Sequence, residues 1–119
     1  MRKDSSIKKN YQFRYIFNNS KPVHKYYTNV YVLKNKYKKN RLGITLNKNI
    51  KGAVNRNKAK RLVRESFNIL KKDLKKGYDI VINLNRFSKS FKTNDIYFEL
   101  KEVFNKLDLI NEKDFNKND

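Results

Sequence analysis

In residues 8–18, KKNYQFRYIFN, the apolar side chains Phe13, Ile16 and Phe17 recur at i, i+3 and i+4, the spacing of one helical face. The pattern predicts a short first helix with Asn10 as its N-cap, ending before Pro22, which disfavours helical backbone in the preceding residue. Residues 26–34, YYTNVYVLK, are aromatic and β-branched and predict a strand. Along it Val30 and Val32 point to one face, and Asn29, Tyr31 and Leu33 to the other. RLGITLN, 41–47, alternates again, with Leu42, Ile44 and Leu46 inward and Arg41, Gly43, Thr45 and Asn47 opposite. A face of small residues beside an aromatic one predicts a shallow trough.

A longer helical rhythm runs from about Val54 to Leu74. At about 100° per residue, Ala59, Leu62, Val63, Ser66, Phe67, Leu70 and Leu74 fall on one stripe. Gly77 is the expected cap at its end. YDIVINLN, 78–85, predicts the most apolar strand. A last helix is capped by Thr93 or Asn94, with Asp95 in its first turn and a stripe of Ile96, Leu100, Val103, Phe104 and Leu107. The reading is one domain over residues 1–110 and a polar, frayed tail at 111–119.

Charge changes the picture of the long helix. Arg56, Asn57, Lys60, Arg61, Arg64 and Lys71 occupy most of the half opposite its apolar stripe, so a core face and a cationic face run side by side. The formal net charge is +19, and it is polarised: residues 1–72 carry 21 of the 30 Lys and Arg but only two acids, Asp4 and Glu65. Residues 73–119 are balanced. A chain rich in Lys, Asn, Ile and Tyr can owe its lysines to genome composition, but that does not remove the acids from one half. Like charges at i, i+4, as in Arg56–Lys60 and Lys60–Arg64, destabilise an isolated helix by a few tenths of a kcal/mol per pair. Such an excess favours a polyanionic partner, nucleic acid ahead of an anionic membrane.

Candidate chemistry narrows this further. The sequence has no cysteine, which excludes disulfides and thiolate metal sites and fits a cytoplasmic protein. No apolar run reaches the roughly 20 residues of a membrane span, and the N-terminus has no secretory apolar segment. The three glycines are scattered, so no glycine-rich phosphate loop exists, and the single histidine, His24, reads as a surface residue. Asp95, Glu99 and Glu102 read as a solvated helix face. Phe13, Phe17 and Tyr31 are readable as core. If the first helix covers the sheet's second face at its edge, they instead line a groove flanked by Lys9, Arg14 and Lys48, where unpaired bases stack.

Two stretches carry a family resemblance. RLGITLNKNIKGAVNRNKAKRLVRE, 41–65, resembles the bacterial ribonuclease P protein component, whose pattern runs roughly R-L/V-G-I-S-V-S-K-K-x-G-N-A-V-x-R-N-R/K-x-K-R-x-x-R-E/Q. The matching positions are Arg41, Gly43, Ile44, Lys48, Ala53, Val54, Arg56, Asn57, Lys58, Lys60, Arg61, Arg64 and Glu65. IKKNYQFRYIF resembles the family's N-terminal helix. Thr45, Asn47, Asn49 and Lys51-Gly52 depart from the pattern, which bears on the loop before the basic helix and leaves its charge intact.

The resemblance implies an α/β (α+β) two-layer sandwich with a ribosomal-protein-S5-domain-2-like fold. Its sheet has roughly four strands with three helices in the order α-β-β-β-α-β-α. It includes a short strand near Val23 and a left-handed βαβ crossover, against the usual rule. It implies the subunit of a ribonucleoprotein endonuclease that removes the 5′ leader of precursor tRNA, with Mg²⁺ held and used by the catalytic RNA and none bound by the protein alone. Arg56, Asn57, Lys58, Lys60, Arg61 and Arg64 would then dock on that RNA. Lys9, Phe13, Arg14, Phe17, Tyr31, Thr45, Asn47 and Lys48 would hold the single-stranded leader, and no side chain would be catalytic. The protein is expected to be a monomer within the particle, with neither DNA nor membrane as partner. A basic RNA-binding protein such as a ribosomal one is the alternative, and an aromatic groove separates the two. A helix-turn-helix DNA binder is disfavoured by the strands around the basic helix.

Overall fold

A computed structural model describes residues 6–111. All but the first residue of the predicted tail lies outside the described residues. The elements are α1 (Asn10–Asn19), β1 (Val23–His24), β2 (Thr28–Lys34), β3 (Arg41–Leu46), α2 (Ala53–Leu70), β4 (Tyr78–Leu84) and α3 (Thr93–Lys106). They form one sheet in the order β1-β2-β4-β3. β4 is parallel to β3 and antiparallel to β2, so α2 is the crossover of a β3–α2–β4 unit. This is the expected α+β fold, with β1 at the place predicted near Val23.

Strand alternation divides the core as the side-chain pattern requires. Val30, Leu42, Leu46, Ile80, Ile82 and Leu84 face α2 and α3, where Leu62, Val63, Phe67, Leu100 and Phe104 meet them. Each such fully buried side chain contributes about 1.5–3 kcal/mol. On the reverse face Val81 packs with Ile7 and Ile16, joined by Phe13, Tyr31 and Leu33. α1 therefore covers the face that α2 and α3 leave open. The outer edge of β3 is partly closed as well: Ser6 bridges Leu42, and the Ile7 N–H donates to the Leu42 carbonyl at 2.9 Å.

Several element ends differ from the sequence expectation. Asn10 is the first helical residue of α1, and Lys9 precedes it as cap; its N–H is accepted by the Gln12 carboxamide at 3.1 Å. Lys92 likewise caps α3, its N–H donating to Asp95 at 2.9 Å, one or two residues ahead of the predicted Thr93 or Asn94. In both cases the third helical residue closes the turn twice: its side chain accepts the cap N–H and its own N–H donates to the cap carbonyl at 3.0 Å, so no short polar side chain is needed at the cap. α2 stops at Leu70 and tightens into a 3₁₀ turn, Lys71–Asp73. Leu74 stays buried, but on extended backbone bridged to Ile110, which draws the chain out of the helix. Gly77 does not cap that helix. With φ +105° it turns the chain into β4, and its carbonyl accepts the Asn35 N–H at 2.8 Å. Leu107 is 37 % exposed, and Leu109 and Ile110 close the core in its place.

The acids of α3 are also more than a solvated face. Glu99 accepts the Tyr27 N–H at 3.1 Å and the Thr28 hydroxyl at 2.7 Å, tying α3 to the start of β2. Glu102 lies 2.8 Å from the Lys25 ammonium, whose hydrogen bond holds its carboxyl below the usual carboxylate range. Asp95 is the acceptor at the α3 cap.

Candidate nucleic-acid interface

α1 crosses the middle of the sheet's second face and divides it. Ile16 points into the sheet, while Phe13 and Phe17 project from one flank of the helix. Phe13 crosses β3 at Gly43, where an added Cβ would sit 2.6 Å from the Phe13 ring. Only glycine allows that approach. Phe17 meets Tyr31 of β2 edge-on, ring centroids 4.7 Å apart, and lies 6.2 Å from Phe13. The three rings thus form one wall, and Phe17 keeps 39 % of its surface exposed.

The floor beside that wall is a polar row across all four strands. His24, Asn29, Asn83 and Thr45 lie in register on β1, β2, β4 and β3. His24 Nδ1 is 2.6 Å from Asn29 Oδ1, within hydrogen-bond distance. The Asn29 amide donates to Asn83 Oδ1 at 3.1 Å, and the Asn83 amide to the Thr45 hydroxyl at 2.9 Å. Asn29 also donates to Asn85, whose amide donates to the Lys25 carbonyl at 3.0 Å. Linked amides hold one another in place, so the floor is polar and rigid.

Of the predicted groove residues, Phe13, Phe17 and Tyr31 are brought together. Thr45 lies in the floor. Asn47 and Lys48 are exposed just past the end of β3. Arg14 is exposed on the outer side of the Phe13–Phe17 flank. Lys9 is displaced: it sits at the start of α1 with its ammonium over Tyr11, 6.0 Å from the ring centroid. His24, Asn29, Gly43 and Asn83 were missed as groove residues. Asn29, on the face predicted to carry Tyr31, and Gly43, on the small-residue face beside it, were the available signals. The pairing of β4 between β2 and β3 brought Asn83 in, and no local pattern reports that.

The cationic face is where periodicity put it. Asn57, Lys58, Lys60, Arg61 and Arg64 are exposed and line one shallow concavity with Val54. Among the described residues, no carboxylate lies within ion-pair distance of these cations. Arg56 differs: it is half-buried and its guanidinium donates to the Ile50 carbonyl at 2.9 Å, so it also braces the loop before α2. Lys58 and Arg61 also line a second concavity with Leu62, Glu65, Phe87, Lys89 and Phe91, where one acid stands among three cations.

The departure at Lys51-Gly52 has a backbone basis. Gly52 precedes α2 with φ +89° and ψ 136°, outside the helical region. A Cβ there would meet nothing within 4 Å, so any penalty for a side chain is conformational. Gly52→Ala is expected to lower stability by about 1–2 kcal/mol, read from denaturant unfolding. An unchanged midpoint would show that this loop relaxes freely.

Comparison with known proteins agrees with this geometry. The family profile described as Ribonuclease P matches residues 1–108. The ribonuclease P protein component of Clostridium botulinum strain 657 is 36 % identical over 110 residues, covering 92 % of this chain and 99 % of that protein. The solved RNase P protein of Staphylococcus aureus superposes with a TM-score of 0.77 at 32 % identity, covering 90 % of this chain and 98 % of that one. That of Thermotoga maritima gives 0.70 at 30 %, covering 76 % and 86 %. With a profile match over nearly its whole length and relatives this similar, the chain belongs to the ribonuclease P protein family and is an RNase P protein subunit acting in tRNA processing.

Proposed function

We propose that the protein divides its two surfaces between the two RNAs of the particle. The basic face of α2 docks on the catalytic RNA through phosphate contacts, led by Lys60, Arg61 and Arg64, with Asn57, Lys58 and Arg56 beside them. The trough walled by Phe13, Phe17 and Tyr31 holds the single-stranded 5′ leader of precursor tRNA. Bases stack on the rings while Arg14 and Lys48 face phosphates, and Thr45, Asn47 and the amide row offer hydrogen bonds. Such a site reads shape and charge more than sequence, which suits a substrate class with many different leaders.

The observation that carries this reading is the pairing of surfaces. A cationic helix face with no carboxylate in ion-pair distance among the described residues shares one domain with a ring-walled trough on the opposite sheet face, and β3 runs between them. A ribosomal protein needs the first and has no use for the second, so that alternative is not favoured.

The hydrolysis itself is assigned to the RNA, with Mg²⁺ held by its phosphates. Three of the protein's acids are engaged within the fold: Asp79 is bound by Arg41, Glu99 by the start of β2, and Asp95 by the α3 cap. The protein's part is to neutralise phosphate repulsion and to fix the leader, which lets the RNA function at lower Mg²⁺. Cytoplasmic location follows from that role; no helix among the described residues is long and apolar enough to cross a membrane.

Reconstitution tests the proposal. Added to a bacterial ribonuclease P RNA at low Mg²⁺, the protein is expected to restore cleavage of precursor tRNA at the leader junction. Lack of stimulation at every salt and Mg²⁺ concentration tried would end it.

A further inference from the structure

α1 leaves two troughs, and only one has been assigned. On the other flank Tyr11, Gln12 and Tyr15 face Leu33 and Lys34 of β2 and Arg41 of β3, and the β2–β3 loop closes the end with Asn35, Lys36 and Tyr37. The cavity measures about 500 Å³, within the range of small-ligand sites. Its three tyrosines are 64, 61 and 57 % exposed. Rings clustered around a cavity yet left this open contribute little to the core, and they point to a ligand.

A buried network shapes this cavity. Asp79, 5 % exposed, accepts the Arg41 Nε and Nη2 protons, both at 2.7 Å. This hydrogen-bonded pairing raises the Arg41 pKa above its already high ordinary value, keeping it charged. Asp79 also accepts the Asn35 amide at 2.9 Å, and Asn35 in turn accepts the Tyr37 N–H at 2.9 Å. One buried carboxylate thus sets both the guanidinium and the loop. The Arg41 guanidinium lies over the Tyr37 ring, 4.4 Å from its centroid. Lys38, next in that loop, adopts φ +59°, a conformation that a lysine rarely takes without compensation. A buried ion pair is weak evidence for stability, because desolvation offsets the attraction. Here it builds a rigid guanidinium–tyrosine stack.

We propose that this second trough binds an unpaired nucleotide of RNA, its base stacking among Tyr37, Tyr15 and Tyr11, with Lys34 and Lys36 facing the phosphates. Among the described residues Asp79 is the one acid lining the cavity, and Arg41 neutralises it. That leaves the rim cationic, which selects a nucleotide over a neutral aromatic. The nucleotide could come from the catalytic RNA or from a part of the leader beyond the first trough; the chemistry is the same. The inference rests on the proposed function only in taking RNA as the ligand.

The test uses the full-length protein and a labelled, unstructured oligouridylate. Tyr15→Ala and Tyr37→Ala are each expected to weaken binding about five- to tenfold, the lower part of the range for one stacked base. Tyr37→Phe and Tyr37→Trp should restore it. Tyr15 lies on α1, so its variant reports on the site even if Tyr37→Ala disturbs the loop. Phe17→Ala in the same assay separates the two troughs: a loss there with none in the tyrosine variants overturns this proposal alone, and the reverse overturns the leader trough alone. Holoenzyme assays then name the source. Weaker assembly with the catalytic RNA places the nucleotide there, and a loss confined to precursors with long leaders places it in the leader. If neither tyrosine variant changes any of these affinities by twofold, or if Tyr37→Phe is as damaging as Tyr37→Ala, the site does not bind nucleotides.

Discussion

Phe17→Ala is expected to weaken holoenzyme binding of precursor tRNA about ten- to a hundredfold while leaving mature tRNA unchanged. The ring stands at the centre of the wall, touching Phe13 on one side and Tyr31 on the other. Its removal takes away a stacking surface worth roughly 1–3 kcal/mol per base and loosens the ring beside it. The side chain is 39 % exposed, so the fold should survive the change. The comparison with mature tRNA makes the test specific, since a general loss of folding or assembly would weaken both. Equal losses for both substrates would remove the trough from the account of leader binding.

The triple variant Lys60→Ala, Arg61→Ala, Arg64→Ala is expected to lower affinity for the catalytic RNA about two orders of magnitude at 0.1 M salt. Each phosphate contact changes the salt exponent by roughly 0.7–0.9, so at 0.1 M each contributes about a sixfold factor, and three multiply. The plot of log affinity against log salt should become shallower by about 2–3. Singly, Arg61→Ala should reduce the slope by about one. Arg56→Ala should do so too, but with an added loss of stability, because its guanidinium also holds the Ile50 carbonyl. Alanine is a better helix former than Lys or Arg at exposed positions, so a loss of binding cannot come from a weakened helix. Unchanged slopes for both the triple and the single variants would show that this face does not meet phosphate.

Much of the fold was legible because its signals are local. The period of 3.6 from Ala59 to Leu70 and the period of two in β2 and β3 report which residues face a core. They needed no partner to be read. Element ends were less legible: Lys9 and Lys92 are poor caps by type, and they serve because Gln12 and Asp95 reach back to their N–H groups. The end of α2 depended on Ile110, some forty residues later, pulling Leu74 into an extended bridge. No local rhythm carries that information.

The two functional surfaces divide in the same way. The cationic face of α2 was written in the chain, since helical periodicity alone sorts Lys60, Arg61 and Arg64 away from Leu62 and Val63, and residues 1–72 contain only two acids, Asp4 and Glu65. The trough was half written: Phe13, Phe17 and Tyr31 could equally have been core. Tertiary structure made them a wall, because α1 crosses at Gly43, the one place where a strand lets a ring approach its backbone. It also assembled the row from His24 to Thr45 and the network around Asp79, whose hydrogen-bonded partners lie up to 54 and 44 residues apart in the chain. Charge and periodicity act over a few residues and are properties of sequence. Which polar groups share a floor is set by strand pairing, and only the folded chain has that.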